Sequence, residues 1–422
     1  MHKFIADFHI HSHYSRAVSK DMNIQELDKW AKRKGIAVMG TGDFTHPEWI
    51  KELKEFVLKN VTDTANATRF VLSVEISSIY AKGGKVRKVH TIILAPSFEA
   101  AQEINKQLGW RGNLHSDGRP ILGLDVKELA KIVFATSDKC LVIPAHVWTP
   151  WFSVFGSKSG FNSLEECFEE LTPQIYAIET GLSSDPAMNW RVEKLDSVAL
   201  ISNSDSHSGR KIGREANIFD GEMSYAAIYE AIKYGAPARA GERSGKPAKL
   251  VGTIEFFPEE GKYHYDGHRA CGVSWQPTET KAHQGKCSVC GKKVTVGVMS
   301  RVDDLATRPL NEKPREALEF ISTVPLEEII SSALGVGPVS KAVQKEYNHL
   351  LEAFANEFEI LLEADIDRVS KESLPIIGEG LRRVREGKLH IKPGYDGEFG
   401  KVEIFTEEER NNFKTRAVEQ TV

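Results

Sequence analysis

The sequence predicts an α/β fold: a barrel-like (β/α) unit, then a small cysteine-bearing unit, then a mainly helical C-terminal unit. Three observations predict it. Over residues 1–220, seven short apolar β-type runs alternate with helix-patterned stretches, the pattern of strands joined by helical crossovers. Three of the five cysteines cluster between 262 and 300. From 308 onward, apolar residues recur at helical spacing. At 422 residues the chain exceeds what one core usually organises, and divisions at 1–245, 250–305 and 306–422 are expected.

The seven runs are KFIADFH (3–9), AVMGTG (37–42), RFVLSVEI (69–76), VRKVHTIIL (86–94), CLVIPAH (140–146), QIYAIET (174–180) and SVALISNS (197–204). IQELDKWAKRKG and DVKELAKIVFAT supply helical patterns between them. The KGGK turn at 82–85 predicts that the third and fourth runs form a hairpin inserted into the plan. In such barrels chemistry gathers at the C-terminal ends of strands, where His11, Asp43, His146, Glu179 and Asp205 stand. The stretch KYGAPARAGERSGKPAK (233–249) reads either as a solvated linker or as a phosphate-contacting strap. Farther on, Val343, Tyr347, Leu350, Leu351, Phe354, Phe358 and Leu361 mark one apolar helical face, and HIKPGYDGEFGKVEIF (390–405) marks a turn with β-type flanks.

Hydrophobic content of 41% with 27% charged residues is ordinary for a globular protein. A net charge of −4 argues against a general polyanion binder, though a local basic face is compatible with it. No apolar run approaches the roughly 20 residues that span a bilayer. The opening MHKFIADFHIHSH lacks the apolar centre of a signal peptide, so a cytoplasmic location is expected.

Candidate metal ligands sit at the ends of successive runs: His9, His11, Asp43, Glu75, His90, His146, Asp205 and His207. Residues two apart on a strand face one side, so His9-x-His11 and Asp205-x-His207 each offer a two-pronged grip. Glu75 lies between Val74 and Ile76, where a carboxylate is costly unless paired or metal-bound. Multivalent cations make such a crowd stable, and adjacent ones activate water and neutralise a leaving phosphoester oxygen. Phosphoester hydrolysis is therefore the expected reaction class, with Asp205, Glu75 and His207 nearest the chemistry. Histidine-rich ligation favours zinc or manganese, with magnesium as the alternative.

His268-x2-Cys271, fifteen residues, then Cys287-x2-Cys290 is close to zinc-ribbon spacing and predicts a closed structural zinc site. LGVGPVSKA (334–342) resembles the hairpin of a helix-hairpin-helix element, in which Gly335 and Gly337 would let the backbone approach a phosphate; an ordinary helix–helix turn is the alternative. Arg382, Arg383 and Lys392 belong to a basic run near it, either a solvated face or a set of phosphate contacts. The loop VWTPWFSVFGSKSGF (147–161) follows His146 directly. Its Trp148, Trp151 and Phe155 form either a packed lid or a platform for bases. Arg210 and Arg214 follow the Asp-x-His motif, where a phosphate needs cations.

The order His-x-His, Glu, His, His, Asp-x-His is carried by ADFHIHSHYS, GTGDFTH, SVEIS, KVHTI, PAHVW and SNSDSHSG. Over about half of the chain it resembles the PHP (polymerase and histidinol phosphatase) superfamily. That resemblance implies a distorted (β/α)7 barrel holding a metal cluster. His9, His11, Glu75 and Asp205 would hold one metal and Glu75, His90 and His146 a second. His207 would take a third, helped by His46 or Asp21, because the family's compact Asp-His pair is spread here over Asp43 and His46. With CSVCGKKVTVGVMSRVDDLA and KPGYDGEFGK added, nearly the whole chain resembles endonuclease Q. This implies a DNA-repair endonuclease that nicks 5′ to deaminated bases (hypoxanthine, uracil, xanthine) and abasic sites. The expected ends are 3′-hydroxyl and 5′-phosphate, with the lesion base flipped into a pocket and its edge read by residues of the 147–161 and 179–190 loops (Glu179, Asp185, Asn189, Trp190); a strand-end polar group and an N-cap before Pro186 are the alternative readings of Glu179 and Asp185. DNA is the expected partner, a sliding clamp is left open as another, and no membrane is expected. Two other readings use the same residues. A small-molecule phosphatase of the histidinol-phosphate type leaves the cysteine unit and tail without a job; a non-enzymatic DNA-damage-binding protein leaves the ligand set without one.

Overall fold

A computed structural model describes residues 3–59 and 68–419 of the chain. All seven predicted runs are strands. They are β1 (Lys3–Asp7), β2 (Ile36–Gly40), β3 (Arg69–Lys82), β4 (Lys85–Ala95) and, after a two-residue β5 (Ile121–Leu122), β6 (Leu141–Pro144), β7 (Ala177–Glu179) and β8 (Ala199–Ile201). β9 (Ala216–Gly221) and β10 (Ala248–Glu255) follow. The cysteine unit carries the hairpin β11 (Asp266–His268) and β12 (Val273–Trp275), and β13 (Glu319–Ser322) comes after it.

The main sheet runs β13-β10-β9-β1-β2-β3-β4-β6, with β5 against β3, while β7 and β8 form a separate parallel pair. It is a curled, open half-barrel of mixed direction. The predicted hairpin is one reason: Gly83 and Gly84 have φ of 61° and 71°, the left-handed pair that a tight hairpin turn demands, and β3–β4 pair antiparallel from Leu72↔Ala95 to Lys82↔Lys85. The other is β9, which returns antiparallel along β1. The β7–β8 pair joins the sheet through a parallel bridge between Ile10 and Ser206, just beyond β1 and β8. β10 and β13 are hydrogen-bonded into this sheet, so it extends across the divisions expected at 250 and 306.

Alternation along β1 positions the site. Phe4, Ala6 and Phe8 pack into one buried cluster with Val38, Ile143 and Phe219, which turns Asp7, His9 and His11 to the opposite face. Helix Ile24–Lys34 supports β1 and β2: Asn23 caps its start, Gly35 ends it at φ 89°, and Leu27 and Ala31 are fully buried.

The predicted helical face from Val343 to Leu361 is broken. Helix Lys341–Ala353 stops at an extended Phe354, and Asn356 starts a new turn by accepting Glu359 N–H at 2.9 Å. Val343, Tyr347, Leu350, Phe354, Phe358 and Leu361 are still all buried, in the same core as Ile10 and Met39. The basic strap is held against the protein: Arg239 and Arg243 donate to the carbonyls of Lys233, Tyr234, Gly235 and Ala236, at the C-terminus of helix Tyr225–Lys233. No helix among the described residues is long and apolar enough to cross a membrane.

Candidate metal centre

The strand ends converge at one mouth. Asp43, His146 and Asp205 all have positive φ (53°, 29° and 45°), an uncommon backbone state for residues with side chains. In each case the chain turns sharply off a strand. Gly181 makes the turn beside His146 feasible: at φ 63° it lies so close that a Cβ there would be 2.5 Å from His146 Cβ.

Two groups of ligand atoms result. His9, His11 and Asp205 form one, and Glu75, His90 and His146 the other. Glu75 serves both. Its Oε2 lies 3.4 Å from His11 Nε2 and 3.7 Å from His9 Nε2; its Oε1 lies 2.7 Å from His90 Nδ1 and 3.1 Å from His146 Nε2. Asp205 Oδ1 completes the first group at 3.2 Å from His11 Nε2 and 3.7 Å from His9 Nε2.

The residues behind these cages aim the rings. Glu179 is fully buried and takes His9 Nδ1 at 3.0 Å, the His146 backbone N–H at 2.8 Å and Asn203 Nδ2 at 2.9 Å. Asp43 takes His11 Nδ1 at 3.1 Å, Ser12 N–H and Oγ at 2.7 Å each, and Ser15 Oγ at 2.9 Å. A carboxylate on Nδ1 fixes the tautomer and presents Nε2 as a lone pair. His9 Nε2 is buried with no hydrogen-bond partner among the described residues and faces the Glu75 and Asp205 carboxylates at 3.7 Å each. Burial alone would depress the His9 and His11 imidazoles, but the surrounding carboxylates hold both well above their ordinary values. Burial would likewise raise Glu75, and the histidines hold it well below. The donor set and its charge fit divalent metals.

Other expected residues are placed as follows. His207 is a third exposed, its ring 4.7 Å from that of His11 and its Nδ1 2.9 Å from its own Asp205 carbonyl. His46 stacks on Tyr14 at 4.1 Å, with Nε2 3.3 Å from His115 O, and Asp21 is exposed. Among the described residues, His207, His46, Asp43 and Asp21 stand in neither cage. Asp43 is a correction: its oxygens are taken up by Ser12, Ser15 and His11, so it lies behind the His11 ring and orients it.

The aromatic loop also requires correction. Trp148 and Phe155 are 1% and 2% exposed and pack together, with Trp148 Nε1 bonded to Asn189, so neither can stack on a base. Trp151 is 40% exposed and stands edge-on to Tyr263. In the 179–190 loop, Glu179 and Asn189 are buried and internally bonded, and Asp185 caps helix Pro186–Trp190. Trp190 lies edge-on to Phe320. Arg214 donates to Ser204 O and Asp205 O, and Arg210 pairs with Glu327. Together Trp151, Lys211, Arg214, Glu260, Tyr263 and Phe399 help line a cavity of about 580 Å³. Arg382 and Arg383 pair with Glu379, while Lys392 is exposed on β14 (His390–Lys392), which pairs with β15 (Lys401–Glu403). Gly335 ends helix Leu326–Leu334 in the left-handed conformation, and exposed Gly337 precedes Ser340, the cap of the next helix.

The four candidate ligands of the cysteine unit come together. Ligand atoms of His268, Cys271, Cys287 and Cys290 lie within 4.8 Å of one another. The cysteines are free thiols, and Cys287 packs with Val273, Trp275 and Val294.

One residue in the mouth is not legible from motifs. Arg119, from the loop after helix Phe98–Gly109, donates to Glu75 Oε2 at 3.0 Å.

Comparison with known proteins places this geometry. Residues 325–388 match the family profile described as the MJ0043 C-terminal domain. The MJ0043 protein of Methanocaldococcus jannaschii is 32% identical over 263 residues, 60% of this chain; the match spans about a third (31%) of that longer protein. YqxK of Bacillus subtilis is 29% identical over 95% of this chain and 100% of its own length. The lesion-specific endonuclease PfuEndoQ of Pyrococcus furiosus superposes with a TM-score of 0.82 at 29% identity, over 97% of this chain and 99% of that one. An endonuclease Q bound to a 27-mer duplex with an abasic lesion at its active site gives 0.81 at 30% identity, over 96% and 98%. With the fold shared almost end to end at that identity, the chain belongs to the endonuclease Q family.

Proposed function

We propose that this protein is a DNA-repair endonuclease that hydrolyses the phosphodiester 5′ to deaminated bases or abasic sites. The observation that carries the reading is Glu75, whose two oxygens face two separate ligand cages at the open end of the half-barrel. His9, His11, Glu75 and Asp205 would hold one divalent metal, and Glu75, His90 and His146 another, with His207 at the rim. Two metals so placed supply water activation and charge neutralisation at a phosphoester. The chain's own part is positional: Glu179 and Asp43 aim the histidines, and Glu75 and Asp205 supply the negative charge that retains cations. The match to a relative that holds an abasic duplex at its active site supports DNA as the substrate. The cavity beside the mouth, with Trp151 and Tyr263 in its wall, has the aromatic lining and room to receive an extrahelical base. His268, Cys271, Cys287 and Cys290 would hold a structural zinc, since three thiols and one imidazole make a closed tetrahedral set. The exposed hairpin at Gly335–Gly337 and Lys392 would contact the DNA backbone away from the cut.

A labelled duplex with one abasic site or one deoxyuridine, incubated with manganese, tests this. The expected product is a single nick 5′ to the lesion, with 3′-hydroxyl and 5′-phosphate ends. Asp205→Ala should abolish nicking and keep DNA affinity. Binding without a nick by the wild type would defeat the enzyme reading, and phosphate release from histidinol phosphate alone would replace it with a phosphatase.

A further inference from the structure

Arg119 belongs to neither cage, yet its place at the mouth is built with care. Its Nη1 donates to Glu75 Oε2, the oxygen that also faces His9 and His11. The side chain is 28% exposed at the mouth. Its backbone is clamped on both sides. Gly118 N–H donates to Tyr14 O at 3.0 Å, Arg119 N–H to Asp117 Oδ1 at 3.2 Å, and Ser77 N–H to Pro120 O at 3.0 Å. Ile121 and Leu122 then pair in parallel with Ser77 and Ser78 on β3. Gly118 lies so close to the carboxylate that aims His11 that a Cβ would stand 2.3 Å from Asp43 Oδ2.

A guanidinium carries five N–H donors, and among the described residues Glu75 is the one side chain bonded to this one. Glu75 is a poor permanent partner. A cation in each cage would compete for its oxygens, leaving Arg119 facing like charge across a partly dry mouth. An anion in the mouth removes that conflict, and the planar fork of arginine matches the paired oxygens of a phosphate. We infer that Arg119 is a substrate-binding catalytic residue that grips a non-bridging oxygen of the scissile phosphodiester. The assignment rests on the phosphodiesterase reading above and names the side chain that holds the reacting group.

The test uses the full-length protein loaded with manganese, as wild type, Arg119→Gln and Arg119→Lys. Arg119→Gln should keep its metal by elemental analysis, bind inorganic phosphate at least roughly tenfold more weakly by calorimetry, and nick the abasic duplex roughly 10²- to 10³-fold more slowly in single turnover. Arg119→Lys should recover part of the phosphate binding, since charge remains and the fork is lost. Unchanged phosphate binding and nicking in Arg119→Gln would overturn the assignment. So would loss of metal, which would make Arg119 a prop for Glu75. A wild type that binds phosphate through Arg119 but leaves the duplex intact would sink the endonuclease reading and leave Arg119 only as a phosphate-binding residue.

Discussion

The histidines of the centre owe their direction to carboxylates one layer behind them. Glu179 behind His9 and Asp43 behind His11 are fully buried, and each satisfies backbone or hydroxyl donors as well as an imidazole. The ligand types were readable in the sequence, because His-x-His and Asp-x-His carry their own spacing. The division of labour was not: Asp43 looks like a ligand in the motif GTGDFTH and becomes a support only once Ser12 and Ser15 fold against it. A second buried carboxylate group lies deeper. Glu215 Oε2 is buried without a partner, and burial, with Glu255 and Glu179 nearby, holds Glu215 well above its ordinary value. Burial also pushes Glu255 up to about 8, against hydroxyl bonds from Thr253, Thr180 and Ser202. A carboxyl whose folded pKa is raised holds its proton more tightly folded than unfolded. The stability from that proton is whole below the unfolded value of about 4.5 and is lost as pH rises through about 8. Melting temperature should therefore fall between about pH 5 and pH 8, and Glu215→Gln should flatten that decline. A wild-type and variant pair with parallel melting-versus-pH curves would contradict it.

At the scale of the element, the 147–161 loop shows how one aromatic segment is split between core and surface. The sequence allowed either a lid or a stacking platform, and the structure divides the loop's aromatics between packed and exposed positions. Trp148 and Phe155 are packed inside, and Arg301 pins the loop by donating to Phe155 O and Phe161 O. Trp151 remains outside, on the cavity wall. Trp148→Ala should cost about 3–5 kcal/mol of stability, visible in denaturant melts. Trp151→Ala should change stability by less than about 0.5 kcal/mol and weaken binding to a lesion duplex roughly 5- to 150-fold, the worth of one stacked base. Equal effects of the two substitutions on stability would show the assignment to be wrong. The hairpin at 82–85 and the helical pattern of Ile24–Lys34 were legible, because turn glycines and apolar spacing act locally. The break at Asn356 was not, since an apolar stripe at helical spacing continues straight through it.

At the scale of the molecule, the helical C-terminal region is fastened to the half-barrel rather than tethered to it. Lys34 Nζ lies 2.7 Å from Glu357 Oε2, both side chains 3% exposed, and Glu357 also accepts Leu326 N–H and Tyr347 Oη. Arg210–Glu327 and Lys211–Glu328 add contacts at the edge of the same junction. Lys34→Met would leave Glu357 buried and unpaired, and should destabilise the whole chain by about 3–5 kcal/mol; a double variant with Glu357→Leu should regain much of that in a thermal melt. This fastening fixes where the helical region sits relative to the mouth. Runs, caps, turn glycines and ligand spacings were determined by the sequence alone, because each depends on residues only a few positions apart. Which carboxylate joins the ligand cages and which lies behind them, that Arg119 reaches Glu75 across 44 residues, and that β10 and β13 extend the sheet were decided only by the tertiary structure. Those outcomes depend on which distant groups are left to satisfy one another once water is gone, and no local pattern records that.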